Sequence, residues 1–216
     1  MDSLHLAIAF VPLAVYLLLL GLLNLSPRPF LTTGVRDGLA LSIGLAGLVI
    51  AGPMELFLPE RAASTFGPYV WLLLLALYLL CSIFIVLLGR PRLVLYNTSP
   101  TELKPILERV VKQLDPQATW ADETYVLPQM FVQLHVESFA ALRSVSLVAV
   151  GPRQSWLGWK KLEIELAIAL RAAPGVANPY GITLILFGLL LGGFTTYWLA
   201  NEREAVAQAL WEMLRF

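Results

Sequence analysis

The hydropathy pattern divides the chain before any single residue does. Four long apolar runs, roughly 4–25, 39–58, 69–89 and 180–200, are set off by polar stretches, and a region of mixed character lies between the third and the fourth. A helix rises about 1.5 Å per residue and a bilayer's hydrocarbon core is about 30 Å thick, so a crossing takes about 20 apolar residues. The pattern therefore predicts an α-helical multi-pass membrane protein with four transmembrane helices and a small α+β domain inserted between helices 3 and 4. Its parts are a three-helix transmembrane region (1–90), a water-facing domain (91–177), a fourth transmembrane helix (178–200) and an amphipathic tail (201–216). The first run lacks a basic flank and a small-x-small cleavage site, so it reads as a retained helix rather than a cleaved signal.

Within the inserted region the periodicity changes. Arg92–Asn97 reads as a short strand. Ser99-Pro-Thr-Glu102 then gives a helix start, with serine as N-cap, proline at the first position and glutamate closing a capping box. Leu103, Ile106, Leu107, Val110 and Leu114 fall on one helical face, and Asp115-Pro116 ends the run. Strand-like runs follow at about 119–127, 130–137 and 143–150, joined closely enough for an antiparallel meander. The stretch 156–173 fits two periods: Leu162, Ile164, Leu166, Ile168 and Leu170 alternate like a strand, while Trp159, Leu162, Leu166, Leu170 and Ala173 make a helical face. Its length decides for helix, which gives β-α-β-β-β-α.

Small residues mark how the apolar helices pack. Ala40, Gly44, Gly47 and Ala51 form one stripe in the second run, and Gly188 and Gly192 form a GxxxG in the fourth. Small stripes let backbones approach closely in lipid. The expectation is that runs two and four pack on each other and that leucine-rich runs one and three face lipid; the alternative use of the stripes is a homo-oligomer or partner interface. Pro12 in the first run is expected to bend it slightly.

Composition sharpens the class. Hydrophobic residues make up 58% of the chain and charged residues 14%, well away from the soluble average. Fifteen basic side chains balance fifteen acidic ones, so no cationic surplus seeks nucleic acid. The lone Cys81 allows no internal disulfide and no cysteine metal cluster. No cofactor is called for. Arginines after the first and third runs favour a cytoplasmic domain with both termini outside, and the general look is that of a bacterial inner-membrane protein.

Candidate chemistry is sparse. The chain has no Walker loop, GxSxG, HExxH or CxxC. Glu55, two residues after Pro53, reads as an acid near the bilayer boundary, paired with Arg61; the competing reading is a proton or cation site where the proline opens the backbone. His135, on a polar strand face with Gln133 and Glu137, could be held charged by a neighbouring carboxylate. Trp156, Lys160, Lys161 and, in the tail, Trp211 have the aromatic and cationic character of a lipid interface. Asp122-Glu123 reads as a turn. Asn24 and Asn97 open glycosylation triplets. The expected function is a non-enzymatic scaffold, assembly or regulatory subunit. The alternatives are a small transporter or channel component using Glu55 and, more weakly, a lipid-acting enzyme using His135.

Overall fold

The Ser99 hydroxyl accepts from the Glu102 N–H at 3.3 Å, and the Glu102 carboxylate accepts from the Ser99 N–H at 2.9 Å. This capping box starts the domain helix at Pro100, as its sequence predicts. The computed structural model describes residues 3–54, 67, 69–121, 123–139, 143–173, 177–204 and 206–207. In chain order the elements are α1 (Ser3–Leu25), β1 (Phe30–Thr33), α2 (Gly34–Val49) continued by a π-turn (Ile50–Met54), α3 (Tyr69–Leu88), β2 (Arg92–Tyr96), α4 (Pro100–Leu114), β3 (Thr119–Ala121), β4 (Thr124–Leu127), β5 (Val132–Phe139), β6 (Ser144–Ala149), α5 (Trp156–Arg171) and α6 (Tyr180–Asn201). They form two compact units: Met1–Leu20 with Gly38–Leu88 and Thr183–Phe216, and Gly21–Asp37 with Gly89–Ile182.

In the second unit an antiparallel sheet of six strands runs in the order β1-β2-β6-β5-β4-β3. β3 to β6 form the expected meander. Two features correct the sequence reading. The run 119–127 is not one strand but the hairpin β3–β4, with Glu123, whose carboxylate disfavours strand, in a turn between them. The loop after α1 also contributes an edge strand, with Leu31 opposite Leu95 and Thr32 opposite Val94. Four residues, two of them threonine, are too short a pattern to announce a strand without its partner.

Helices α4 and α5 cover one face of this sheet. Leu103, Leu107 and Val111 of α4 and Leu162 and Leu166 of α5 close over Leu95, Leu134, Val145 and Leu147, all of them 0–1% exposed. Burial on this scale drives folding at about 25 cal/mol per Å² of apolar surface. α5 is a helix, and its double periodicity has a physical origin. Leu162, Leu166 and Leu170 are buried, whereas Ile164 and Ile168 stand 48% and 56% exposed on the opposite side. Two apolar faces of one helix, read in sequence, imitate the alternation of a strand.

In the first unit the small residues meet α1. A Cβ on Gly44 would fall against the Tyr16 side chain, and one on Gly47 would overlap the Ile8 carbonyl oxygen. Pro12 has no N–H to offer Ile8, so that carbonyl lacks its helical donor. The close glycine backbone brings C–H groups to the oxygen with spare lone pairs. On the other side, Gly188 lies against Ala14 and Leu18. The expectation that runs two and four pack on each other and leave run one to lipid is therefore corrected: both small faces close on α1, where Ala9 and Ala14 are 2% and 4% exposed. Ala40 is exposed and lies outside the buried stripe, while Ala51 belongs to it. α3 joins α2 through the Tyr78 hydroxyl, which donates to the Ser42 carbonyl at 2.7 Å.

Among the described residues three helices, Leu4–Leu25, Gly34–Gly52 and Tyr180–Asn201, are long and apolar enough to cross a membrane; α3 contributes a shorter apolar stretch, Leu72–Leu88. The second of these starts five residues earlier than the hydropathy run suggests, so its length of about 28 Å does not require Met54 or Glu55 to complete a crossing.

Candidate functional site

The sheet face away from α4 and α5 carries most of the polar chemistry. Side chains alternate along a strand, so the burial of Val132, Leu134 and Val136 places Gln133, His135 and Glu137 on this second face. Register then sets His135 opposite Thr124 on β4 and Val148 on β6, and Glu137 opposite Ser146. The Thr124 hydroxyl lies 3.1 Å from His135 Nδ1, and the Glu123 carboxylate lies 3.8 Å from Nε2. The carboxylate beside the imidazole is thus Glu123 from the β3–β4 turn, not Glu137 two residues along the strand. Strand register and turn position decide that pairing, and neither can be read from local spacing. His135 with Glu123 and Thr124 offers hydrogen-bonding groups that can bind a polar group. Among the described residues, no group of three or more His, Cys, Asp or Glu side chains could hold a metal.

Gln133 serves the fold as well as the face. Its backbone carbonyl accepts from Gln154 Nε2 at 3.0 Å, and Gln154 Oε1 in turn accepts from the Trp159 indole N–H at 2.9 Å. Gln154 thereby fixes the entry to α5. The β1–β2 end of the second face is closed. Val94, Tyr96 and Thr32 are buried there, and Asp37 receives the Tyr96 hydroxyl at 2.5 Å and faces Arg92 at 3.6 Å.

A hollow of about 170 Å³ opens beside α4, with Leu107, Tyr125 and Val136 as its apolar part and Thr101, Lys104 and Glu123 as its polar part. Burial, followed by the negative charge of Glu108, pushes the Tyr125 hydroxyl above its ordinary pKa. At the start of α4, Arg143 Nη2 holds Glu102 at 2.8 and 2.9 Å. Burial alone would raise the Glu102 pKa. The Ser99 N–H, then the Arg143 guanidinium, outweigh it and hold the carboxyl below its usual value.

A third polar cluster ties the end of α1 and the start of α6 into the sheet unit. Asn24 and Asn178 are both 0% exposed. The Asn178 N–H donates to the Asn24 carbonyl at 2.8 Å, and the side-chain amides meet at 3.1 Å. Asn178 Oδ1 also accepts from the Tyr180 N–H at 3.2 Å, which caps α6. The Asn97 amide donates to the Ser26 carbonyl. Asn24 and Asn97 are therefore structural and closed to glycosylation. The Asn178-Pro179 pair is an N-cap signature that sequence alone could have offered; its partner, 154 positions away, is not legible there.

Gln133, His135 and Glu137 share the open face, while Trp156, Lys160 and Lys161 lie on α5, and Gly44, Gly47, Gly188 and Gly192 line α1-facing surfaces. Glu55, Arg61 and Trp211 lie outside the described residues.

Fold and site together define a chain with three helices apt for a membrane and an antiparallel sheet domain covered by helices on one face. No protein family matches the chain, and neither curated proteins nor solved structures include a significant match to it.

Proposed function

We propose that this chain is a non-enzymatic integral membrane protein serving as a scaffold, assembly factor or regulatory subunit, with its sheet domain holding a protein partner. The observation that carries the reading is how the segments flanking the domain are tied into it. Residues 21–37 and the start of α6 belong to the same compact unit as the sheet. They are tied in by β1 pairing with β2, by Asn24–Asn178 and by Asp37 with Tyr96 and Arg92. A surface whose flanking segments are hydrogen-bonded into the same unit is pre-organised, which lowers the ordering cost of binding. The partner face is the open row of Thr124, Gln133, His135, Glu137 and Ser146. In this reading α3 is a fourth span. Arginine distribution sets the domain in the cytoplasm and both termini outside, in a bacterial cytoplasmic membrane.

The test is native mass measurement of the protein in nanodiscs prepared from its own membranes, before and after His135→Glu with Glu137→Lys. A partner at fixed stoichiometry that leaves in the double variant supports the reading. A homo-oligomer retaining only lipid overturns it.

One observation favours a second reading, a small transporter or channel component. The π-turn Ile50–Met54 contains Pro53 and immediately precedes Glu55. Such turns widen the helix, leave carbonyls without close donors and recur at functional sites. Glu55→Gln abolishes transport in that case and leaves a scaffold's partner binding unchanged.

A further inference from the structure

The outer face of α5 has no role in the fold. Leu157, Ile164 and Ile168 recur at helical spacing, 65%, 48% and 56% exposed, opposite the buried Leu162, Leu166 and Leu170. At the N-terminal end of the helix, Trp156 is 73% exposed and Phe131 is 59% exposed. The Phe131 carbonyl accepts the Ser155 N–H at 2.8 Å, which places the β4–β5 turn at the start of α5. Phe131 itself sits at φ +49, a conformation unfavourable for a bulky residue. A strained backbone that presents an aromatic ring to the outside is not explained by packing. Around the stripe stand Arg153, Lys160, Lys161 and Arg171, all exposed. Of the acids on the same helix, Glu163 is held by Lys160 at 2.8 Å, and Glu165 lies at one margin.

We infer that this face is a lipid contact: it lies on the anionic surface of the membrane that holds the chain, with Trp156, Leu157 and Phe131 at the acyl boundary and the basic side chains on phosphates. Large apolar and aromatic side chains flanked by lysine and arginine are the pattern of a helix lying in the interface plane. Symmetric docking of a second copy would bring two basic rims together, which costs affinity. Nine positions separate Arg171 from Tyr180 at the start of the apolar α6, a reach of about 30 Å at most. The local concentration of lipid surface is therefore high, and a weak contact suffices. The inference goes beyond the partner-binding reading and holds whether or not the open sheet face binds a protein.

The test uses the full chain in nanodiscs, with Cys81→Ser and an environment-sensitive dye on Leu157→Cys. Discs are made of phosphatidylcholine alone or with phosphatidylserine, each with or without a nitroxide lipid. Arg109→Cys on the exposed side of α4 carries the control dye. The expected result is a blue-shifted dye at position 157, quenched by the nitroxide roughly twofold more strongly in anionic than in neutral discs. Lys160→Glu with Lys161→Glu removes the difference, and the control dye stays in water. A dye at 157 that remains water-exposed in both discs overturns the inference. So does one shielded without lipid quenching, which would mark a protein or a second copy on this face. Lys160 and Lys161 are both exposed, and a sheet signature in circular dichroism confirms that the variant has folded.

Discussion

At the residue scale, single side chains here are chosen by what stands opposite them. Gly47 shows this most sharply, because any Cβ overlaps the Ile8 carbonyl oxygen that Pro12 leaves free. Gly47→Leu is expected to force α1 and α2 apart at a cost of about 2 kcal/mol, whereas Gly193→Ala, with nothing within 4 Å of the added atom, is close to neutral. Denaturant unfolding in detergent measures both. Glu102 gives a pH prediction. Its folded pKa is depressed, so its contribution is complete above the unfolded value near 4.5 and is lost as pH falls through the folded value. Thermal melts of the wild type should therefore drop more steeply in this acid range than those of Glu102→Gln. At neutral pH the variant should lose on the order of 1 kcal/mol or less, since the ion pair is half exposed.

At the scale of elements, α4 was fully legible because its signals are local: an N-cap, a capping box, one apolar face and a C-terminal stop. α5 was ambiguous because a helix with two apolar faces carries both periods at once. The two faces are separable by mutation. Leu166→Ala, at a site 0% exposed, should cost about 2–5 kcal/mol, and Ile168→Ala, at 56%, should stay within about 0.5 kcal/mol. A strand at this position would not distinguish them in that way, since residues two apart share a strand face. Chemical denaturation followed by circular dichroism decides it. The hairpin β3–β4 was hidden because two short strands close together in sequence read like one long strand.

At the scale of the molecule, the sheet draws on distant parts of the chain. β1 belongs to a loop that looks like a plain connection, and it becomes a strand only because β2 offers an unpaired edge. Hydrogen exchange should therefore find inter-strand amides of Phe30–Thr33 protected together with those of Arg92–Tyr96, rather than exchanging as a loop would. Asn24–Asn178 joins the end of α1 to the start of α6 through buried amides, and Asn178→Leu should cost about 1–3 kcal/mol by removing the buried hydrogen bond between the two side chains. Unfolding in detergent measures this. Little of the candidate site was legible beforehand. The alternation of β5 put Gln133, His135 and Glu137 on one face, but the partner of His135 came from a turn in another hairpin.

The sequence by itself determined the apolar helices, the amphipathic α4, the alternation of β5 and the small-residue stripes, because each depends on spacing within one element. Only the tertiary structure decided that both small stripes close on α1, that Glu123 stands beside His135, that the first loop completes the sheet and that the outer stripe of α5 is left uncovered. These four depend on which elements become neighbours. That choice is made by burial and hydrogen bonding across distant segments, and spacing along the chain carries no record of it.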